Sequence, residues 1–251
     1  MSVVAAPRRP LALVLIVALG LGAGACARRP AATDPATTGS LGPRAEAGAQ
    51  ADTENWAKRY QETPNDRDTI LGFAQALRRN GQTQQSVEVL RKAVVIHPKD
   101  AQIASAYGKA LAASGDFDTA LRVVRAANSL TMPDWRLLSA EGAILDQIGN
   151  PTEARRAYEN ALKIAPDEPT VLNNYGLSYL LTNETANAET MLRRAAASPR
   201  ADSRVRPNLA LALGLQGKFQ EAEKVARAEL APEQAEQNLA YLRKMLAERS
   251  T

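Results

Sequence analysis

His97 is the only histidine of this 251-residue chain and Cys26 is its only cysteine. The side chains most used for nucleophilic, proton-transfer and metal chemistry thus occur once each and far apart. A lone imidazole just before Pro98 builds neither a three-ligand metal site nor a histidine-based triad. The paired carboxylates Asp116 and Asp118 follow Gly115, where acidic side chains cap a helix start. Glycines at 81, 115, 149 and 217 stand too far apart for a phosphate-cradling loop, which needs them within a single turn. No enzyme, cofactor, metal or small-molecule substrate follows from this set of residues. The net charge is +4, and +2 without Arg8 and Arg9, with no run of Lys and Arg to track a phosphate backbone, so nucleic acid is not an expected partner either.

The first residues are a separate object. Arg8 and Arg9 precede an apolar run from Leu11 to Gly22, which ends in Ala23, Gly24, Ala25 and Cys26. That run is short for a membrane span and suits an export signal. The small residues before Cys26 resemble a bacterial lipobox, although Ala23 stands where that pattern favours Leu. The resemblance implies cleavage before Cys26, a diacylglycerol thioether on its sulfur and an acylated amino group. Several acyl chains make a durable lipid anchor, since each buried methylene contributes about 0.8 kcal/mol. Ala27 in place of Asp implies sorting to the outer membrane, with the periplasmic face of the inner membrane as the alternative. An ordinary secretory leader or an uncleaved anchor is the other reading of this segment. A bacterial leader also makes the Asn183-Glu184-Thr185 glycosylation pattern irrelevant.

The elements that must position any site are set by a period. The glycines named above are 34 residues apart or a multiple of it, and Asn183 fills the missing slot. Fourteen residues before each repeat ends stand Ala120, Ala154, Ala188 and Ala222, with Ser86 in the first copy. Ala93, Ala127, Ala161 and Ala195 recur seven residues later, with Glu229 in the last copy. This spacing predicts stacked helix-turn-helix units in windows 67–100, 101–134, 135–168, 169–202 and 203–236. Glycine after the first helix permits the left-handed turn, and Asp116 caps the helix that follows. Small residues at the eighth and twentieth positions let the paired helices approach closely. Residues 1–25 then form the signal peptide, 26–52 an acylated, flexible tether, 53–66 a helical lead-in carrying Trp56 and Tyr60, 67–236 the repeats, and 237–251 a capping helix. Asn238, Leu239, Leu242 and Leu246 mark that cap, because a stacked unit buries its apolar face only against a neighbour.

This grammar resembles the tetratricopeptide repeat from residue 67 to about 232. The resemblance implies an all-α, right-handed solenoid of about five repeats with a C-terminal capping helix, a protein-binding function and a concave groove lined by the first helices. In that family the second, fifth, ninth, twelfth and thirteenth positions of a repeat face a bound peptide. Carried over, this gives Asp68, Leu71, Gln75, Arg78 and Arg79, then Gln102, Ser105, Lys109, Ala112 and Ala113. Arg136, Ser139, Ala143, Asp146 and Gln147 follow, then Thr170, Asn173, Leu177, Leu180 and Leu181. Arg78, Arg79 and Lys109 suit an acidic partner, and Asn173 with Asn174 suits an extended backbone. Leu177, Leu180 and Leu181 form an apolar patch.

The chain is similar over nearly its whole length to the tetratricopeptide lipoprotein family of tight-adherence (Flp-type) pilus assembly. The residues concerned are the lipobox at Cys26, Trp56 before Pro64, the stretch Phe73-Ala74-Gln75-Ala76-Leu77-Arg78-Arg79-Asn80-Gly81, and the ending Asn238 to Leu246. That resemblance implies a role in assembling the outer-membrane secretin of a pilus. A general periplasmic scaffold for envelope or peptidoglycan enzymes is the alternative.

Overall fold

Among the described residues, five antiparallel helix pairs follow one another along the chain, preceded by a single long helix. A computed structural model describes residues 43–128, 132–228 and, near the C-terminus, 236–238, 240, 243–244 and 247–248. Helix α1 spans Pro43–Glu62, and the pairs are α2 (Arg67–Arg79) with α3 (Thr83–Ile96), α4 (Ala101–Ala113) with α5 (Phe117–Ala127), α6 (Trp135–Gln147) with α7 (Pro151–Ile164), α8 (Pro169–Leu181) with α9 (Thr185–Ala196), and α10 (Val205–Leu215) with α11 (Phe219–Ala226). The expected signal peptide, Cys26 and the expected tether up to residue 42 lie outside the described residues, as do Glu229, Pro232, Leu239, Leu242 and Leu246.

Every turn within a pair is made in the same way. Gly81, Gly115, Gly149 and Gly217 have φ between 73° and 88°, and Asn183, in the fourth slot, has φ 62°. The residue after each donates its N–H back to a carbonyl five positions earlier, as in Gln82 to Leu77 at 2.8 Å and Glu184 to Tyr179 at 2.9 Å. This is the Schellman closure, which needs a left-handed residue and satisfies the carbonyls a helix end leaves open. Asparagine tolerates that conformation better than other side-chain-bearing residues, so it substitutes for glycine once. Asp66, Asp100, Asp116 and Asp134 accept from backbone N–H groups at the starts of α2, α4, α5 and α6.

Packing inside a pair depends on the eighth residue of the repeat. A Cβ built on Gly108 would lie 2.4 Å from Val124, on Gly142 2.6 Å from Tyr158, and on Gly176 2.6 Å from Leu192. The side chain that fills each glycine notch is therefore the twenty-fourth of the repeat. The alanine at the twentieth position serves the same close approach, with the Ala120 carbonyl oxygen 3.5 Å from a Cβ at 108. In the last pair the eighth and twenty-fourth positions are Ala210 and Ala226, two small residues buried in one core cluster. In the first, Ser86 donates to the Ala74 carbonyl at 2.9 Å.

Helix α1 begins ten residues before the lead-in helix expected from residue 53, so residues 43–52 are helical where a tether is expected. Ala45, Glu46, Ala47, Gln50 and Ala51 favour helix on propensity, and the end of that segment has tertiary partners. Asp52 pairs with Arg79 at 2.8 Å, and the Thr53 hydroxyl reaches the Ala76 carbonyl at 3.4 Å. Trp56 then lies in the notch left by Gly72, and Tyr60 meets Phe73 with ring centroids 5.1 Å apart. α1 thus covers the outer face of α2. At the other end, residues 236–238, 240, 243–244 and 247–248 are helical, and the Arg243 guanidinium lies 4.9 Å over the Phe219 ring of α11.

Glu189 ties the last two pairs together. It accepts from Lys218 at 2.6 Å, Gln216 at 2.8 Å and Arg193 at 2.8 Å. Burial pushes its carboxyl up, but these donors outweigh burial and hold it at about 2, below the ordinary 4.5. A depressed carboxylate contributes stability that is complete above the unfolded-state value and lost as pH falls through the folded one. Glu189→Gln is expected to lower the urea unfolding free energy by about 1–3 kcal/mol at pH 7. The deficit relative to wild type should shrink below about pH 4.5 and vanish near pH 2.

Candidate functional site

Neighbouring first helices pack on one another, α2 on α4, α4 on α6, α6 on α8 and α8 on α10, whereas among the described residues the second helices make no such mutual contacts. A stack joined closely along one side and splayed along the other curves, with the first helices on the inside. On that inner face lies a hollow of about 340 Å³. Leu71, Gln75 and Arg78 enter it from α2, Gln102, Ser105 and Lys109 from α4, and Trp135, Arg136 and Ser139 from α6. Thr170 of α8 and Arg204, just before α10, complete it.

The polar groups of the hollow divide into engaged and unengaged. Ser105 donates to the Arg136 carbonyl at 3.3 Å, and Ser139 accepts from Asn174 at 3.1 Å. Arg67 holds Gln102 at 2.6 Å. Arg136 pairs with Asp134 at 3.3 Å and lies 4.5 Å over the Trp135 ring. Arg204 pairs with Asp202, which raises its pKa. Arg78 and Lys109 have no carboxylate partner among the described residues. Burial, and then the charge of Arg204, lowers the Arg78 pKa. Burial, followed by Arg78 and Arg204, lowers the Lys109 ammonium to about 8. The hollow therefore concentrates positive charge with no anion inside it.

Two of the eight residues singled out for binding, Arg78 and Lys109, line this hollow. Arg79 turns instead to α1, pairing with Asp52 at 2.8 Å. Asn173 is 3% exposed and accepts from Asn208 at 2.8 Å, so its amide is occupied between repeats, as is that of Asn174 on Ser139. Leu180 is 2% exposed and belongs to the core of the last two pairs, with Leu177 partly buried against it. That corrects the apolar patch: Leu181 alone is exposed. The reason is register. Twelfth-position residues Ala112 and Leu180 are buried, and half-buried Asp146 accepts from Ser178 of the next repeat at 2.7 Å. Arg78 reaches the hollow from that position because its side chain is long. Arg204 occupies the second position of the fifth repeat, the position of Gln102, Arg136 and Thr170 in earlier ones, so the repeat pattern could have found it. Trp135, at a first position, carried no such signal.

His97 has its Nε2 2.9 Å from the Asn65 carbonyl oxygen, tying the end of α3 to the loop before α2. Asp116 caps α5, and its partner Asp118 lies in the first turn of that helix. Among the described residues no group of three or more His, Cys, Asp or Glu is placed to hold a metal ion, and no helix is long and apolar enough to cross a membrane.

A family profile described as the tetratricopeptide repeat matches residues 71–130 and 140–203. Comparison with curated proteins gives no match. Among solved structures, TTC0263, a thermophilic tetratricopeptide-repeat protein of Thermus thermophilus, superposes with a TM-score of 0.57 at 19% identity, covering 68% of this chain and 93% of that one. A chain of the APC/C hetero-tetramer Cut9–Hcn1 gives 0.54 at 14% identity, over 72% of this chain and 35% of that one. A monomeric IFIT1 mutant with Gppp-AAAA gives 0.56 at 15% identity, over 70% and 45%. The chain spans less than half of the last two, and at these identities the likeness is one of fold.

Proposed function

Because the chain is a tetratricopeptide-repeat solenoid, we propose that it works as a non-enzymatic adaptor whose inner face holds a segment of another protein. The observation that carries this reading is the inner hollow, which spans successive repeats and presents Arg78 and Lys109 with no carboxylate partner among the described residues. Cations gathered on one face with no carboxylate among them suit a surface that meets an anion. In the finer form of the proposal, acylated Cys26 anchors the protein at the periplasmic face of the outer membrane, and the bound component belongs to a tight-adherence pilus machine, the secretin foremost. The sequence resemblance in the first repeat and the C-terminal stretch supports that form, as does the leader.

The test is deletion of the gene in the source bacterium, followed by measurement of secretin level and of heat-stable secretin multimers in the membrane. Multimers should be lost on deletion, restored by the wild-type gene and restored poorly by Cys26→Ser. Unchanged multimers with normal piliation would contradict the pilus role and favour a general envelope scaffold.

A further inference from the structure

We propose that the hollow is a receptor for an acidic peptide segment, a side-chain carboxylate of which seats between Arg78, Lys109 and Arg204. This rests on the reading of the inner face as the binding face and adds the chemistry of the occupant. The three cations come from different repeats: Arg78 from α2, Lys109 from α4, and Arg204 from the start of the fifth pair. Each of the first two feels the positive charge of Arg204, and Lys109 feels that of Arg78 as well. Asp202 and Asp134, the carboxylates beside the hollow's other two arginines, are already engaged, Asp202 with Arg204 and Asp134 with Arg136.

The surroundings fit an extended chain rather than a lone ion. The exposed amide of Gln75 is poised for a backbone, since it both donates and accepts. Trp135 and Leu71 offer apolar contact beside it. A free protein that holds Lys109 among cations is strained by their repulsion, and a carboxylate relieves the strain as it binds. Binding strength and the stability of the free protein therefore oppose each other at this residue.

Proton linkage gives the proposal a signature. The Lys109 ammonium is lowered to about 8 by burial first and then by Arg78 and Arg204, and a seated carboxylate raises it again. Affinity should be level below about pH 7 and fall as pH rises through 8 and beyond, with proton uptake on binding in that range. In the free protein the sign is reversed. The unfolded chain holds this proton up to an ordinary lysine value of 10.5, so the destabilisation is complete below about pH 8 and relieved between 8 and 10.5.

The experiment uses the full-length protein in detergent and fluorescence anisotropy. The probe is an acetylated, amidated decapeptide of alternating Glu and Ala, compared with its Gln counterpart, the same Gln peptide with a free C-terminus, and phosphatidylglycerol vesicles. The Glu peptide should bind at least about 10-fold tighter than the Gln peptide, and Lys109→Gln or Arg78→Gln should each weaken it about 10- to 100-fold. Lys109→Gln should at the same time raise the Tm of the free protein at pH 7, a gain that closes as pH approaches 10.5. Lys109→Arg should bind without the fall above pH 8. Failure of the Glu peptide to bind, equal binding of the Glu and Gln peptides, binding carried only by the free C-terminus, or binding of the vesicles alone would overturn the proposal. Equal binding that Gln75→Trp abolishes would overturn the acidic occupant while leaving the inner face as the binding face.

Discussion

Gly142→Leu is expected to destabilise the protein by about 3 kcal/mol or more and to split its unfolding into two transitions. A Cβ at 142 would lie 2.6 Å from Cε1 of Tyr158 and 2.8 Å from its Cζ. That ring cannot withdraw: it is 1% exposed and is stacked on Tyr175 with centroids 5.6 Å apart. Overpacking a filled core costs about 1–3 kcal/mol for added methylenes, and here the first added carbon already overlaps an aromatic ring. Against a whole-protein stability of roughly 5–15 kcal/mol the loss is severe. Its position makes the effect cooperative as well as local. In a stack each unit is stabilised by its neighbours, so a defect in the middle pair uncouples the pairs on either side. Urea titration followed by circular dichroism should show a lower first midpoint and a second transition. Gly48→Ala is the control. Gly48 lies in α1 with nothing within 4 Å of its virtual Cβ, so the substitution should stabilise by about 0.5–1 kcal/mol through helix propensity.

Tyr158→Ala is the second large effect, about 3–5 kcal/mol of lost stability. The ring fills the notch at Gly142, stacks on Tyr175, and donates to Asp146 at 2.9 Å. Truncation leaves a cavity at the centre of the third pair and removes one of two donors to Asp146, the other being Ser178 at 2.7 Å. Burial already pushes the Asp146 carboxyl up, so losing a donor there is costly. Tyr158→Phe keeps the packing and loses only the hydroxyl, so it should cost about 1 kcal/mol. The two large substitutions touch the same space. A Gly142→Leu, Tyr158→Ala double variant should therefore be less destabilised than the sum of the singles, because the leucine enters the volume the tyrosine leaves.

The period of 34 residues made the helix pairs, their turns and their close approach legible, because each depends on a few local residues. Asn183 was readable as the left-handed turn residue for the same reason, and its φ of 62° bears this out. The start of α1 was not legible. Residues 43–52 contain no apolar period, and their helix is held partly by Asp52 on Arg79, a contact between segments that no local pattern records. The binding residues were legible by halves. Positions taken from the repeat pattern placed Arg78 and Lys109 on the hollow, but the same rule placed Leu180 there, and that side chain is buried between repeats. Fifth-position residues likewise serve the next repeat, as Ser139 does with Asn174 and Asn173 with Asn208. Whether a position on the inner helix faces solvent or the following repeat depends on side-chain length and on the neighbour's sixth residue. A single-repeat pattern contains neither.

Site-specific photo-crosslinking in the source bacterium would show whether a partner is held on the inner face. A photoreactive residue would be placed at Gln75 or Gln102, both exposed in the hollow, and for comparison at Arg156, exposed on the second helix α7. A crosslink to the secretin is expected from Gln75 and Gln102, none from Arg156, and loss of the first two when Arg78 and Lys109 are both replaced by Glu. A secretin crosslink from Arg156 alone, or crosslinks from the hollow that survive the charge reversal, would contradict it.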